Sequence, residues 1–138
     1  MKYWNIELDG PDKTGKTLLA KYITQLSGYK YATHDRGYMT QVAYAKKFHR
    51  PFTYAAPNKN TVYILLTCNK EEHDIRCKIS NEPKIDFDTD MRIFEEVFVK
   101  LLKQGYHTLM YNTSDHSMLH IAKDIIMQID ELEEKSKW

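Results

Sequence analysis

Trp4-Asn5-Ile6-Glu7-Leu8-Asp9-Gly10-Pro11-Asp12-Lys13-Thr14-Gly15-Lys16-Thr17, continuing as LLAKYITQLS to residue 27, is the stretch that decides the fold. Before the first glycine, Trp4, Ile6 and Leu8 alternate with Asn5 and Glu7 at the period of two that a strand imposes. After Thr17, the residues Leu18, Leu19, Tyr22, Ile23 and Leu26 recur at helical spacing. Between strand and helix, Gly10 to Thr17 fits G-x-x-x-x-G-K-[ST], a phosphate-binding loop whose backbone N–H groups and following helix N-terminus face phosphate oxygens. Gly10 and Gly15 permit torsions and close approaches that a Cβ blocks, Lys16 reaches the outer phosphates, and the Thr17 hydroxyl can ligate Mg²⁺. The segment Gly10, Pro11, Asp12, Lys13, Thr14, Gly15, Lys16 and Thr17 is therefore the candidate nucleotide-binding site, with Mg²⁺ and a nucleoside triphosphate as its ligands.

A chain of 138 residues suits a single core, so one α/β domain is expected over residues 1–138. The formal net charge is +1, which generates no overall field that would by itself point to nucleic acid or membrane. Locally, Lys46, Lys47, His49 and Arg50 form a basic cluster that reads either as a solvated helix end or as a phosphate contact. The two cysteines, Cys68 and Cys77, fall on an expected strand and helix without metal-ligand spacing, and read as reduced thiols of a cytoplasmic protein. The first strand begins almost at once, leaving no room for a signal peptide, and no apolar run approaches membrane-spanning length. No membrane partner is expected.

Beyond Gly28, a helix C-cap, a short strand over residues 29–34 ends at Asp35-Arg36-Gly37. Ligands of parallel α/β sheets sit at the carboxyl ends of strands, which puts Asp35 and Arg36 near the phosphate loop. A carboxylate there can hold a magnesium-bound water or accept a hydroxyl proton, and a guanidinium can clamp phosphate oxygens. Residues 49–60 read as a loop, where Phe52 and Tyr54 are available to stack on a base or to pack on the domain. Thr61 to Cys68 is a continuous apolar run, the mark of a central strand buried on both faces. Asn69 then caps a helix over 70–78, a polar loop spans 80–87, and Phe94, Val97, Phe98 and Leu101 mark the buried face of a helix over 89–104 that Gly105 closes. A strand over 106–111 follows, then a turn with Ser114 as the N-cap of a last helix striped by Met118, Ile121, Ala122, Ile125, Ile126, Ile129 and Leu132. His116 and His120 are one helical turn apart and read as surface histidines. This alternation predicts an α/β fold with about four parallel strands and helices on both faces.

The residues Asp35-Arg36-Gly37-Tyr38-Met39-Thr40-Gln41-Val42-Ala43-Tyr44 resemble the D-R-[YH]-x-x-S-x-x-A-Y-Q stretch of the thymidylate kinase family. Asp35, Arg36, Ala43 and Tyr44 match in register, with Thr40 in place of the serine. The loop from Asp9 to Thr17 likewise resembles the family's E-G-x-D-[GR]-x-G-K-[ST], with Asp9 for the glutamate and Asp12 at the acidic position. The resemblance implies a P-loop kinase fold whose strands are ordered as the Asp35 strand, the phosphate-loop strand, TVYILLTC and YHTLMY. It also implies an ATP- and Mg²⁺-dependent phosphotransferase in which Asp12 meets a deoxyribose and Arg36 meets the acceptor's phosphate. Lys13 falls where some members carry a catalytic arginine. Arg76, Lys78 and Lys84 are the cations available from the family's lid region, Arg76 foremost for transition-state charge. The expected catalytic set is thus Lys16, Asp35, Arg36, Lys13 and Arg76, with Thr17 and Asp35 at the metal. By the same resemblance, residues 112–115 border the adenine, and the chain belongs among kinases that are often dimers, although nothing in the sequence identifies an interface.

The chain departs from the family between Thr17 and Asp35, where only 17 residues intervene. Missing there are a strand, an Arg-Glu-Pro stretch that binds the acceptor phosphate, and helices that carry a stacking aromatic; Gly37 also replaces an aromatic. Two acceptors stay open. One is a free thymidylate-type monophosphate. The other is 5-hydroxymethyluracil within DNA, the substrate of bacteriophage enzymes similar to thymidylate kinases, with the basic cluster on the DNA backbone and the host cytoplasm as location. A third reading, from a different class, is a module that senses ATP without transferring its phosphate.

Overall fold

A computed structural model describes residues 4–11, 13–51, 56–80 and 86–136. Four strands, β1 (Asn5–Asp9), β2 (Thr33–Asp35), β3 (Thr61–Thr67) and β4 (His107–Asn112), form one parallel sheet in the order β2-β1-β3-β4. Five helices lie among them: α1 (Lys16–Leu26), α2 (Tyr38–Lys47), α3 (Lys70–Ile79), α4 (Phe87–Lys103) and α5 (Met118–Ser136). Fold class and strand order match the sequence-based expectation.

β3 is buried along all but its last residue because both of its faces are covered. Val62, Ile64 and Leu66 point into a core shared with Ile6 and Leu8 of β1, Leu19 and Ile23 of α1, and Ile121, Ile125 and Ile129 of α5. Tyr63 and Leu65 point the other way, into a core with Met39 and Ala43 of α2 and Phe94, Val97 and Leu101 of α4. β1 is less uniform. Its apolar positions serve the α1 and α5 side, while Glu7 and Asp9 face α2 and accept hydrogen bonds from its first turn. Strand alternation alone produces this division.

Several boundaries move from their expected places. α1 ends in a Schellman arrangement, with Tyr29 N–H on the Thr24 carbonyl at 2.9 Å and Gly28 N–H on the Gln25 carbonyl at 3.1 Å, and left-handed Gly28 supplies the turn. That turn consumes residues expected in the next strand, so β2 has only three residues, ending at Asp35. β3 stops at Thr67, leaving Cys68 just beyond it, and both cysteines are buried and free. α4 starts two residues early, at Phe87, because the Asp86 carboxylate accepts from the Thr89 N–H at 3.2 Å. The cap of α5 is Ser117 rather than Ser114. Its hydroxyl accepts from the His120 N–H at 3.1 Å, and Ser114 is engaged elsewhere.

Among the described residues, no helix is long and apolar enough to cross a membrane.

Candidate active site

The phosphate loop leaves β1 at its carboxyl end and delivers Lys16 to the first turn of α1. Gly10, at φ 146°, lies so close to β3 that a Cβ would fall on the Leu66 carbonyl oxygen. Gly15 takes the left-handed conformation at φ 97° immediately before α1, with the Met118 side chain filling the place of a Cβ. Buried Thr14 closes the loop on itself, its hydroxyl donating to the Pro11 carbonyl at 2.9 Å. The Lys16 side chain is buried and its ammonium donates to the Gly10 and Pro11 carbonyls at 2.8 and 3.1 Å. Thr17 stands exposed beside it.

Arg36 follows β2 in the left-handed region at φ 57°, its N–H donating to the Leu8 carbonyl at 3.3 Å. That turn sets Asp35 and Arg36 across from the loop. Lys13, Gly15, Lys16, Thr17, Leu18, Asp35 and Arg36 line one cavity of about 430 Å³. Of the expected loop positions, Gly10, Pro11 and Thr14 lie buried behind this lining, and Asp12 is outside the described residues. A second hollow, about 520 Å³ and lined in part by Leu26, Ile126 and Met127, lies against α5 without any phosphate-binding backbone.

The segment after Asp35 is fixed from below. Glu7 accepts from the Tyr38 N–H at 2.7 Å, and its carboxylate occupies the space that a Cβ on Gly37 would need. Gly37 is thus the residue that fits. Asp9 accepts from the Thr40 N–H at 3.1 Å and the Thr40 hydroxyl at 2.5 Å. Burial pushes the Asp9 carboxyl up to about 6, with the Glu7 charge adding to the rise and the Thr40 hydrogen bonds opposing it. Neither Glu7 nor Asp9 was singled out from the sequence as holding α2; the available signal was that both fall on the same face of β1 in a sheet covered on both sides.

Arg76 arrives from α3. Its guanidinium donates to the Lys13 carbonyl at 2.6 Å and pairs with Glu72 one helical turn earlier. The neighbouring Ser114 hydroxyl first, and Arg76 after it, hold the Glu72 carboxyl below the usual range. Lys78 is exposed, and Lys84, Phe52 and Tyr54 lie outside the described residues. Asn69 and Asn112 are joined by a side-chain hydrogen bond of 3.0 Å, which links the turns after β3 and β4.

The basic cluster belongs largely to the fold. Lys47 pairs with buried Asp90 of α4 at 2.9 Å, Lys46 approaches Glu96 at 3.9 Å, and the Arg50 guanidinium lies 4.9 Å from the centre of the Phe48 ring. His116 and His120 are exposed with their rings stacked 5.6 Å apart. Among the described residues, no three His, Cys, Asp or Glu side chains gather in a way that could hold a metal. The oxygen donors at the cavity are instead the Thr17 hydroxyl and the Asp35 carboxylate, a hard set of the kind Mg²⁺ takes alongside substrate phosphates.

No protein-family model matches the chain, and no curated protein sequence does. Its fold is similar to the crystal structure of the YorR protein from Bacillus subtilis in complex with phosphorylated GDP, with a TM-score of 0.76, 20% identity, and coverage of 95% of this chain and 98% of that one. At that identity the likeness concerns architecture alone: the chain shares with YorR a four-stranded parallel α/β fold.

Proposed function

We propose that the chain is a phosphotransferase that moves the γ-phosphoryl group of Mg²⁺-ATP to a thymidine-related nucleotide. One observation carries this reading: the donor side, Lys16 and Thr17, and the acceptor side, Asp35 and Arg36, line the same cavity. A cavity of about 430 Å³ falls within the range of small-molecule sites. In the proposed reaction the acceptor oxygen bonds to the γ-phosphorus while the bond to the β–γ bridging oxygen breaks, and ADP leaves. Lys16 exchanges the loop carbonyls for β- and γ-phosphate oxygens. Arg36 and Lys13 face the charge of the incoming acceptor, and Arg76 reaches the loop at Lys13. Asp35 orients the acceptor, and takes its proton where the acceptor is a hydroxyl. Thr17, with Asp35 directly or through water, would hold Mg²⁺, whose charge would offset that of the phosphates.

Between the two acceptors, a free monophosphate is favoured. YorR, a chain that this one covers almost end to end, is in complex with phosphorylated GDP, a free nucleotide, in its crystal structure. Absence of the extra acceptor segment is therefore compatible with a free nucleotide. Lys46 and Lys47, which the DNA reading needs on a phosphate backbone, are turned toward acids of α4. The thymine preference rests on the residues around Asp35 and on Asp9 to Thr17 in the sequence.

Transfer from γ-labelled ATP should be measured in parallel to thymidine monophosphate, guanosine nucleotides, 5-hydroxymethyldeoxyuridine monophosphate, and duplex DNA with and without 5-hydroxymethyluracil. Label is expected in a thymidine-type mononucleotide. Label in guanosine nucleotides alone would overturn the base assignment, and label in modified DNA alone would overturn the acceptor class. ATP binding without label in any of them would leave an ATP-sensing module as the function.

A further inference from the structure

Arg76 of α3 reaches the phosphate loop's backbone from a remote element, donating to the Lys13 carbonyl at 2.6 Å. Lys13 sits there in the left-handed region at φ 69°, so the guanidinium meets the loop at a conformation that its sequence does not favour. α3 is a poor platform by packing alone. His73 and Cys77 are its buried residues, while Ile75 and Ile79 are exposed. Polar contacts must therefore supply much of its register.

Glu72 makes those contacts. It pairs with one edge of the Arg76 guanidinium, while the other edge is aimed at the loop. Ser114, in the turn after β4, accepts from the Asn69 N–H at 2.9 Å and so holds the start of α3. The brace thus runs from the turn after β4 to the start of α3, and from there through Glu72 and Arg76 to the phosphate loop. A half-buried ion pair one turn apart on a helix adds only modestly to stability, so the fold gives small reason for it. A guanidinium whose plane is already fixed loses less freedom on meeting a phosphate.

Resting on the reading of residues 10–17 as a triphosphate site, we propose that Glu72 is a positioning residue: it holds Arg76 at the rim of the loop, where the guanidinium exchanges the Lys13 carbonyl for a phosphate oxygen of the bound triphosphate. The exchange is favourable because a phosphate oxygen carries negative charge that the neutral Lys13 carbonyl lacks, and guanidinium and phosphate form a hydrogen bond charged on both sides.

Titration calorimetry with MgATP on the wild-type chain, Glu72→Ala, Arg76→Ala and the double variant tests this, alongside thermal unfolding of each. Arg76→Ala should weaken ATP about tenfold, Glu72→Ala about threefold, and the double variant no more than Arg76→Ala alone, since Glu72 acts only through Arg76. Unfolding midpoints of Glu72→Ala and wild type should agree within about 3 °C. Ser114→Ala should shift ATP affinity in the same direction as Glu72→Ala. Wild-type affinity in Glu72→Ala, or losses that add in the double variant, would overturn the positioning role while leaving the triphosphate site standing. A wild-type chain that binds no nucleoside triphosphate would sink that site, and this inference with it.

Discussion

At the scale of single residues, charge and backbone geometry lead to separate predictions. The Asp9 carboxyl, pushed up to about 6 from 3.8 chiefly by burial, binds its proton more tightly folded than unfolded. Its contribution to stability is therefore full below about pH 4 and is lost as the pH rises through about 6. Asp9→Asn removes this titration, so the wild type's unfolding free energy should fall relative to the variant's by about 2 kcal/mol between pH 4 and 7. Urea unfolding at several pH values measures it, and parallel profiles for the two proteins would refute it. Gly10→Ala combines an unfavourable torsion with a clash against the Leu66 carbonyl, neither of which has a flexible neighbour to yield. It should destabilise by about 2–4 kcal/mol in the same assay. Lys16→Ala should reduce phosphoryl transfer by at least about a hundredfold in the labelled-ATP assay.

At the scale of elements, α2 depends on a strand that is distant in sequence. Its first turn has no capping side chain of its own, and Glu7 of β1 accepts from its Tyr38 N–H instead. Glu7→Ala should therefore cost about 1 kcal/mol, comparable to losing a local cap, and circular dichroism during urea titration would record the earlier midpoint. This contact also explains which parts of the molecule were legible in the sequence. β1, the phosphate loop and α1 were readable because period, motif and helix spacing lie within one stretch, and β3 because six positions in a row answer to burial on both faces. The strand order and the meeting of Asp35 with the loop came from a resemblance to a family and from the rule that parallel sheets bind at strand ends. What escaped depends on partners remote along the chain. Ser114 and Ser117 are equally good caps by local chemistry, and only the approach of Asn69 and Glu72 commits Ser114 elsewhere. The basic cluster could not be weighed until α4 brought Asp90 and Glu96 against it.

At the scale of the whole molecule, the sheet is a two-sided core whose centre is β3, so damage there should spread to both faces. Ile64→Ala, at a position with no exposed surface, should cost about 2–5 kcal/mol in urea unfolding and weaken ATP binding only through loss of folded protein. The same centre imposes an order in time. β1 pairs with β3 across 56 positions, Asn5 with Thr61, and Gly10 comes to rest on the Leu66 carbonyl. Pairings between segments so far apart are slow to form, because a long loop must close before any contact rewards it. On a ribosome adding roughly 5 to 20 residues each second, the glycine-bearing turn emerges about 3 to 11 s before the strand that seats it. Through that interval Leu19 and Ile23 of α1 have no β3 to cover them, which makes a nascent chain halted short of residue 66 a natural client for a chaperone.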